Sequence, residues 1–479
     1  MRPDTMLDKR FGVVFFDDVD DPNSGWACLG GGPDTKPKRI SGPEDLSTSA
    51  IWWCNVDLKS GDNRLEFWRL SQLRPNYYLP IKLARLLAEW SIDMQTAPPS
   101  AVTQFAAVLF TRIMTLSYRL IQNIDPDRKA SDIFVGMRLA EDYVQIMPTP
   151  LYPKDEAASI MQAGKAFEHF TATSIPPRKS SRLYTVIKPR IPYALEMLRT
   201  PIPHFDKPFE FVSRRKLQKF GPNIISHLQS LNKPAMAEIS VERIDGELAK
   251  IFGFAASTSR AKRSQRSWVT TPEFSSLARH AEIEVNSAWI GESYTTYMDH
   301  LPHPIKAFLT SPASGVSWSA GIVAETIWRA TGLADSTGFG MGSPISENAK
   351  TSWQGAWIRG ADKISMFETA WKLTQQEHSV ISYGSGWLHA SVFDEEKTEF
   401  QRDALSVGMY PSMLSVEPKE FSMDEKIQWG GAPNAYLLVA IHMACKNKIL
   451  DQLDMAPLQP RKTQEEYVRN LFSSLGALK

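Results

Sequence analysis

Four carboxylates crowd into five positions near the start of the chain: Asp17, Asp18, Asp20 and Asp21. They follow F-G-V-V-F-F at 11–16, a run of β-branched and aromatic residues that reads as a strand. Strand geometry alternates sides, so Asp18 and Asp20 fall on one side, as a two-metal nuclease or nucleotidyl-transfer site requires. No third carboxylate or histidine stands at a diagnostic distance from them. The turn Pro22-Asn23-Ser24-Gly25 follows at once, and acids before such a turn also serve as a solvated strand exit that discourages edge pairing. The other chemistry-bearing stretches are weaker. Gly338-Phe339-Gly340-Met341-Gly342 lacks the G-K-[ST] ending of a phosphate loop. Tyr383-Gly384-Ser385-Gly386-Trp387 lacks the outer glycines of a nucleophile elbow. His300 and His303 are separated by a proline and have no cysteine nearby, which favours helix-end packing over a metal.

Charge of the opposite sign gathers in S-R-A-K-R-S-Q-R-S-W, residues 259–268. Between 248 and 272 there is no Asp or Glu, while Lys250, Arg260, Lys262, Arg263 and Arg266 supply five cations in a chain of net charge +1. Small spacers around them suggest a loop with a focused positive field. Arg260, Lys262, Arg263 and Arg266 are the expected phosphate contacts, and Trp268 is the expected stacking ring. The competing reading is a solvated linker.

Two phrases look like the Tyr-Pro phrase that follows the metal-binding aspartate of family B DNA polymerases. One is Ile191-Pro192-Tyr193-Ala194-Leu195 with the later Pro201-Ile202-Pro203, and the other is Met409-Tyr410-Pro411-Ser412. Five positions before Tyr410 stands Leu405 rather than Asp, and no Asp-Thr-Asp occurs anywhere in the chain. Without those carboxylates two-metal phosphoryl transfer has no scaffold, and the family is not assigned.

The elements that must position these residues belong to a 479-residue chain with 43% hydrophobic and 22% charged residues, an ordinary balance for a globular protein with a sizeable core. Three cysteines, none in a Cys-x-x-Cys pair, imply neither a disulfide framework nor a zinc knuckle. No signal-like segment or membrane span is read, so a cytoplasmic (or virion) location is expected. Short strands are expected at 11–16, 51–54 and 64–68. The apolar arc Val102, Phe105, Leu109, Ile113, Leu116, Leu120 and Ile124 predicts a buried helix with Ser100 as its N-cap. Residues 214–231, 241–252, 273–299, 317–331 and 361–377 read as further helices, and the proline-rich stretch 175–208 reads as an arm. The expected organisation is a β-containing cap at 1–98, a helical lobe at 99–174, the arm and basic loop at 175–271, and a Trp-rich helical lobe at 272–479.

The fold class that follows is mainly α: a large helical body with a small β-containing N-terminal region and a proline-rich connecting arm. Nine of the 14 tryptophans lie between Trp268 and Trp429, which suits large subunit contacts. Together these features predict a self-assembling structural protein that coats nucleic acid, similar in character to the helical capsid or nucleocapsid proteins of RNA viruses. Its expected partners are copies of itself and nucleic acid, RNA for choice, without sequence specificity and with no membrane or cofactor. The alternative is a nucleic-acid-processing enzyme or accessory subunit with Asp17 to Asp21 as its metal site.

Overall fold

The computed structural model describes residues 10–18, 24–30, 35–56, 73–74, 83, 98–128, 140–162, 170–173, 175, 178–188, 190–220, 224–252, 268–311, 318–331, 352–384 and 386–416. The N-terminal strands are β1 (Phe11–Phe16), β2 (Gly25–Leu29), β3 (Lys38–Ile40), β4 (Ile51–Cys54) and β5 (Leu73–Arg74). They form one sheet in the order β3-β2-β1-β4-β5, with β2 antiparallel and β4 parallel to β1. All six residues of β1 are buried, which explains its uninterrupted apolar run: both faces are covered. Phe11, Val13 and Phe15 pack into the core under helix α1 (Pro99–Ile124), while Val14 and Phe16 join Trp52, Cys54, Ile40 and Leu46 on the opposite face. Helix α1 is the one predicted from the apolar arc, begun by Pro98 at the N-cap rather than Ser100. Its Phe110 meets Phe11 edge-on at 6.0 Å and lies 5.5 Å from the Trp53 ring.

Strands also dominate the middle of the chain, and here the expectation of a mainly α body is overturned. The elements that position the rest of the molecule are β6 (Phe170–Ala172), β7 (Arg182–Ile187), α2 (Arg190–Arg199), β8 (Ile202–Pro203), β9 (Phe209–Val212), α3 (Arg214–Leu217), β10 (Ala235–Ile244), α4 (Gly246–Phe252), β11 (Trp268–Thr270), α5 (Thr271–Leu277), β12 (Ala281–Gly291), β13 (Tyr294–Thr295), α6 (Trp318–Ala330), α7 (Trp353–Gln375), β14 (Ser379–Gly384), β15 (Trp387–Val392), α8 (Lys397–Ser406) and β16 (Tyr410–Val416). An antiparallel sheet runs β11-β10-β12-β9, and a second five-stranded sheet runs β16-β7-β15-β14-β6. The fold is an α+β mixture.

The misread stretches have a local cause. Residues 281–285, Ala-Glu-Ile-Glu-Val, alternate polar and apolar, so their period is two and not 3.6. The capping box of Thr270 and Glu273 does start a helix as expected, but α5 stops at Leu277 and the chain turns through Arg279 and His280 into β12. The predicted arm is not an arm. Its prolines bracket β7, α2 and β8, and Leu183, Val186, Ile191, Tyr193, Met197, Leu198 and Ile202 are buried in the core. Pro192, the third residue of α2, is tolerated because the first helical N–H groups have no intrahelical acceptor.

The Phe11–Phe110–Trp53 contact ties the first sheet to α1. Phe110→Ala is expected to lower stability by about 3–5 kcal/mol through cavity formation, measured by urea unfolding, whereas an exposed change such as Gln122→Ala stays within about 0.5 kcal/mol.

Candidate functional site

The carboxyl ends of the parallel pair β1 and β4 lie side by side, and Asn55 bridges them. Its Oδ1 accepts from the Phe16 N–H at 2.9 Å and its Nδ2 donates to the Phe16 carbonyl at 3.0 Å. Asp17 therefore stands at the carboxyl edge of the central strand, the place where open α/β sheets put their ligands. Its carboxylate is already engaged. Arg39 Nη1 donates to Oδ1 at 3.0 Å, Arg39 Nη2 donates to Oδ2, and Ser24 Oγ donates to Oδ2 at 2.8 Å. The Arg39 hydrogen bonds hold the Asp17 carboxyl below the usual carboxylate range, and the guanidinium also lies 5.7 Å over the Trp26 ring. Asp18 is exposed, and Asp20 and Asp21 lie outside the described residues. Among the described residues no three His, Cys, Asp or Glu side chains converge as a metal site needs.

The basic loop residues Arg260, Lys262, Arg263 and Arg266 also lie outside the described residues. Trp268 is described. It pairs with Glu238 as the first residue of β11 and is only 5% exposed, so its ring belongs to the core and is not offered for stacking. Residues 338–342 are outside the described set. Tyr383 and Gly384 end β14 and Trp387 begins β15, so the glycines there serve a hairpin turn, with Gly386 at φ +69°. His300 Nε2 is 2.9 Å from Thr295 Oγ1 and its ring packs on Phe205, in keeping with helix-end packing.

A constellation that the sequence did not single out lies where β7 runs into α2. Lys188 follows the last residue of β7, and its N–H donates to the Gly386 carbonyl in the β14–β15 turn at 2.7 Å. Its Nζ donates to Glu196 at 2.7 and 3.0 Å and to Ser365 Oγ at 2.6 Å. Ser365 in turn donates to Glu196 at 2.6 Å. On the inner side Tyr193 donates to Asp362 at 3.1 Å, and Lys363 Nζ lies 5.6 Å over the Phe252 ring. Arg190 Nε donates to Glu325 Oε2 at 2.8 Å while Arg329 Nε donates to Oε1 at 3.1 Å, with Arg190 6% and Glu325 4% exposed. Charges this deep are retained only where every one is matched. The signal that could have found them is the placing of Arg359, Asp362 and Lys363 among Trp357, Ile358, Ala361 and Ile364 in the stretch that became α7, where all three are buried.

Both Tyr-Pro phrases meet here. Tyr193 sits in α2, and β16 lies along β7 with Pro411 opposite Val186. Five positions before Tyr193 stands Lys188, so this phrase too carries no aspartate at that place.

No protein-family model and no curated protein matches the chain. Solved structures of Phi29 DNA polymerase do match. The complex with primer-template DNA and incoming nucleotide is 9% identical at a TM-score of 0.39, over 81% of this chain and 82% of that one. The binary complex with primer-template DNA is 8% identical at a TM-score of 0.41 over the same shares. A likeness at that level assigns no role to any residue. Several sheets alternate with helices in an α+β mixture where a mainly helical shell was expected. The reading as a self-assembling capsid or nucleocapsid protein is withdrawn, and with it the expected association with copies of itself and the choice of RNA.

Two changes test the site's electrostatics. Glu325→Gln replaces the carboxylate shared by the buried Arg190 and the part-buried Arg329 with a neutral amide and is expected to cost about 3–5 kcal/mol by urea unfolding. Arg39→Ala should return the Asp17 pKa toward its ordinary value near about 4, followed by carboxyl carbon chemical shifts. Because the folded-state value is depressed, the stability Arg39 confers is present above the ordinary pKa and is lost as pH falls through the folded one. The gap in urea midpoint between the two proteins should therefore close on acidification, and an unchanged Asp17 titration would show that Arg39 is not its cause.

Proposed function

We propose that the chain is an accessory protein of nucleic-acid processing, one that binds a nucleic-acid strand and positions it without carrying out metal-dependent phosphoryl transfer at the β7–α2 junction. The observation that carries this reading is Lys188. It occupies the strand end five residues before Tyr193, in a phrase that resembles the one following the metal-binding aspartate of family B DNA polymerases. Its ammonium gives its three donors to the two Glu196 oxygens and to Ser365 and has no lone pair, so it cannot ligate a cation. The second carboxylate candidate, Asp17, fits a metal no better, since the Arg39 fork and Ser24 take both of its oxygens. The Phi29 DNA polymerase of the solved complexes binds primer-template DNA, and a nucleic-acid partner is the part of that description taken over here as a proposal.

The test uses the full chain and labelled oligonucleotides, single-stranded and duplex, DNA and RNA, followed by fluorescence anisotropy across a salt series. Salt-dependent binding of at least one of the four is expected, with no nucleotide incorporation and no strand cleavage in magnesium or manganese. Absence of binding at low salt would overturn the nucleic-acid reading; metal-dependent incorporation or cleavage would overturn the accessory one.

A further inference from the structure

Strand β9 is an edge of the β11-β10-β12-β9 sheet, and its Phe211 is one of four large hydrophobic side chains exposed among the described residues, at 38%. The ring is not loose. Phe211 stands opposite Trp289 in the ladder with ring centroids 5.1 Å apart. Trp289 lies 6.1 Å from Trp353, and Trp353 stacks on Phe209 at 3.8 Å with planes 9° apart. A row of rings thus runs from the core to the surface and ends in one that water touches. A single surface aromatic needs no explanation, but one backed by three others is a rigid platform.

The chain beside it is basic. Residues 207–219 hold Lys207, Arg214, Arg215, Lys216 and Lys219 against one acid, Glu210. Three of these cations are spent on carboxylates: Lys207 on Glu292, Arg214 on Glu284 and Lys216 on Glu210. Arg215 and Lys219 are exposed and form no ion pair among the described residues. They are four apart on the helical stretch of α3 and the turn Gln218–Phe220, so they share a face, and Leu217, which is buried, points the other way. Arg215 lies four positions after Phe211, a span of at most about 14 Å.

From this arrangement, and resting on the nucleic-acid reading above, we propose that Phe211, Arg215 and Lys219 form a binding surface for a single nucleic-acid strand, with a base stacked on Phe211 and phosphates on the two cations. Stacking requires an unpaired base face, and every base has one, so the surface selects single strands over duplexes without selecting sequence. A duplex, its bases closed to Phe211, would engage the cations alone.

The experiment measures anisotropy of a labelled mixed-sequence 20-nucleotide single strand and of its duplex on the full chain, with variants Phe211→Ala, Phe211→Tyr and the pair Arg215→Gln with Lys219→Gln. Phe211→Ala should weaken single-strand binding by roughly five- to a hundredfold and leave the duplex unchanged, and Phe211→Tyr should restore it. The double cation variant should reduce the single-strand log–log salt slope by about 1.4. Circular dichroism melts establish that each variant is folded. If the wild type binds single strands and neither affinity nor slope responds to these changes, this surface is wrong while the proposed function stands; if the wild type binds no nucleic acid, both fall. Should Phe211→Ala alter the solution mass instead, the edge joins protein copies and the inference is overturned.

Discussion

Glu325, held between Arg190 and Arg329 at 4% exposure, is the interaction on which the centre of this molecule depends. A single carboxylate there answers two guanidiniums, one from α2 and one from its own helix α6. Removing Glu325 takes the shared carboxylate from both, so the register of α2 on α6 has little freedom. Gly321 allows the approach, since a Cβ at that position would lie 3.3 Å from the Arg190 side chain. Once α2 is fixed, the end of β7 is fixed as well, because only Lys188 and Pro189 separate them. Lys188, Tyr193 and Glu196 then stand at set positions against α7. Their hydrogen bonds to Ser365 and Asp362 follow from the register and do not create it.

Helix α7 carries the same constraint across the molecule. Its Gly360 lies so close to Thr270 and Glu273 that no side chain would fit, which brings the helix axis onto the capping box of α5. One turn further, Asp362 and Lys363 reach back toward Tyr193 and Phe252. At its N-terminal end Gln354 Nε2 donates to the Pro203 carbonyl at 2.9 Å, and its Oε1 accepts from the Leu151 N–H at 2.8 Å. A helix whose polar groups bond to four separate segments acts as a spine, and its buried polar residues specify position where an apolar face alone would allow sliding.

What could be read from the sequence and what could not divide along physical lines. Helix α1 was legible because seven apolar residues recur at steps of three and four, and β1 because β-branched and aromatic residues run without a break. Strands β10 and β12 were not, because Glu238, Glu242, Glu282 and Glu284 belong to good helix formers and their alternation with Ile239, Val241, Ile283 and Val285 is short. Tertiary pairing over nine register positions outweighed that propensity. The arm was misread for a related reason: prolines exclude long elements but suit the short ones that frame a core strand. The site was the least legible part. Lys188 and Ser365 are 177 positions apart, and no local pattern announces a contact between them. Arg190 and Arg329 look in the sequence like ordinary surface cations, and only folding shows that both face one carboxylate.

That same distinction bears on how a chain of net charge +1 can hold a polyanion at all. Formal charge counts every lysine and arginine alike, yet a cation already paired to a carboxylate adds little to the field that a phosphate meets. In this structure Arg39, Lys188, Arg190 and Arg329 are committed internally, which fixes the fold and removes them from the electrostatic account. Attraction is left to cations that form no ion pair among the described residues, and Arg215 and Lys219 are two of these. Two phosphate contacts alone are weak at physiological salt. An aromatic platform alongside adds a contribution that salt does not screen, because stacking is not a charge interaction. The proposed binding of a strand with accessible bases therefore rests on this combination of few uncommitted cations with a rigid exposed ring rather than on bulk charge.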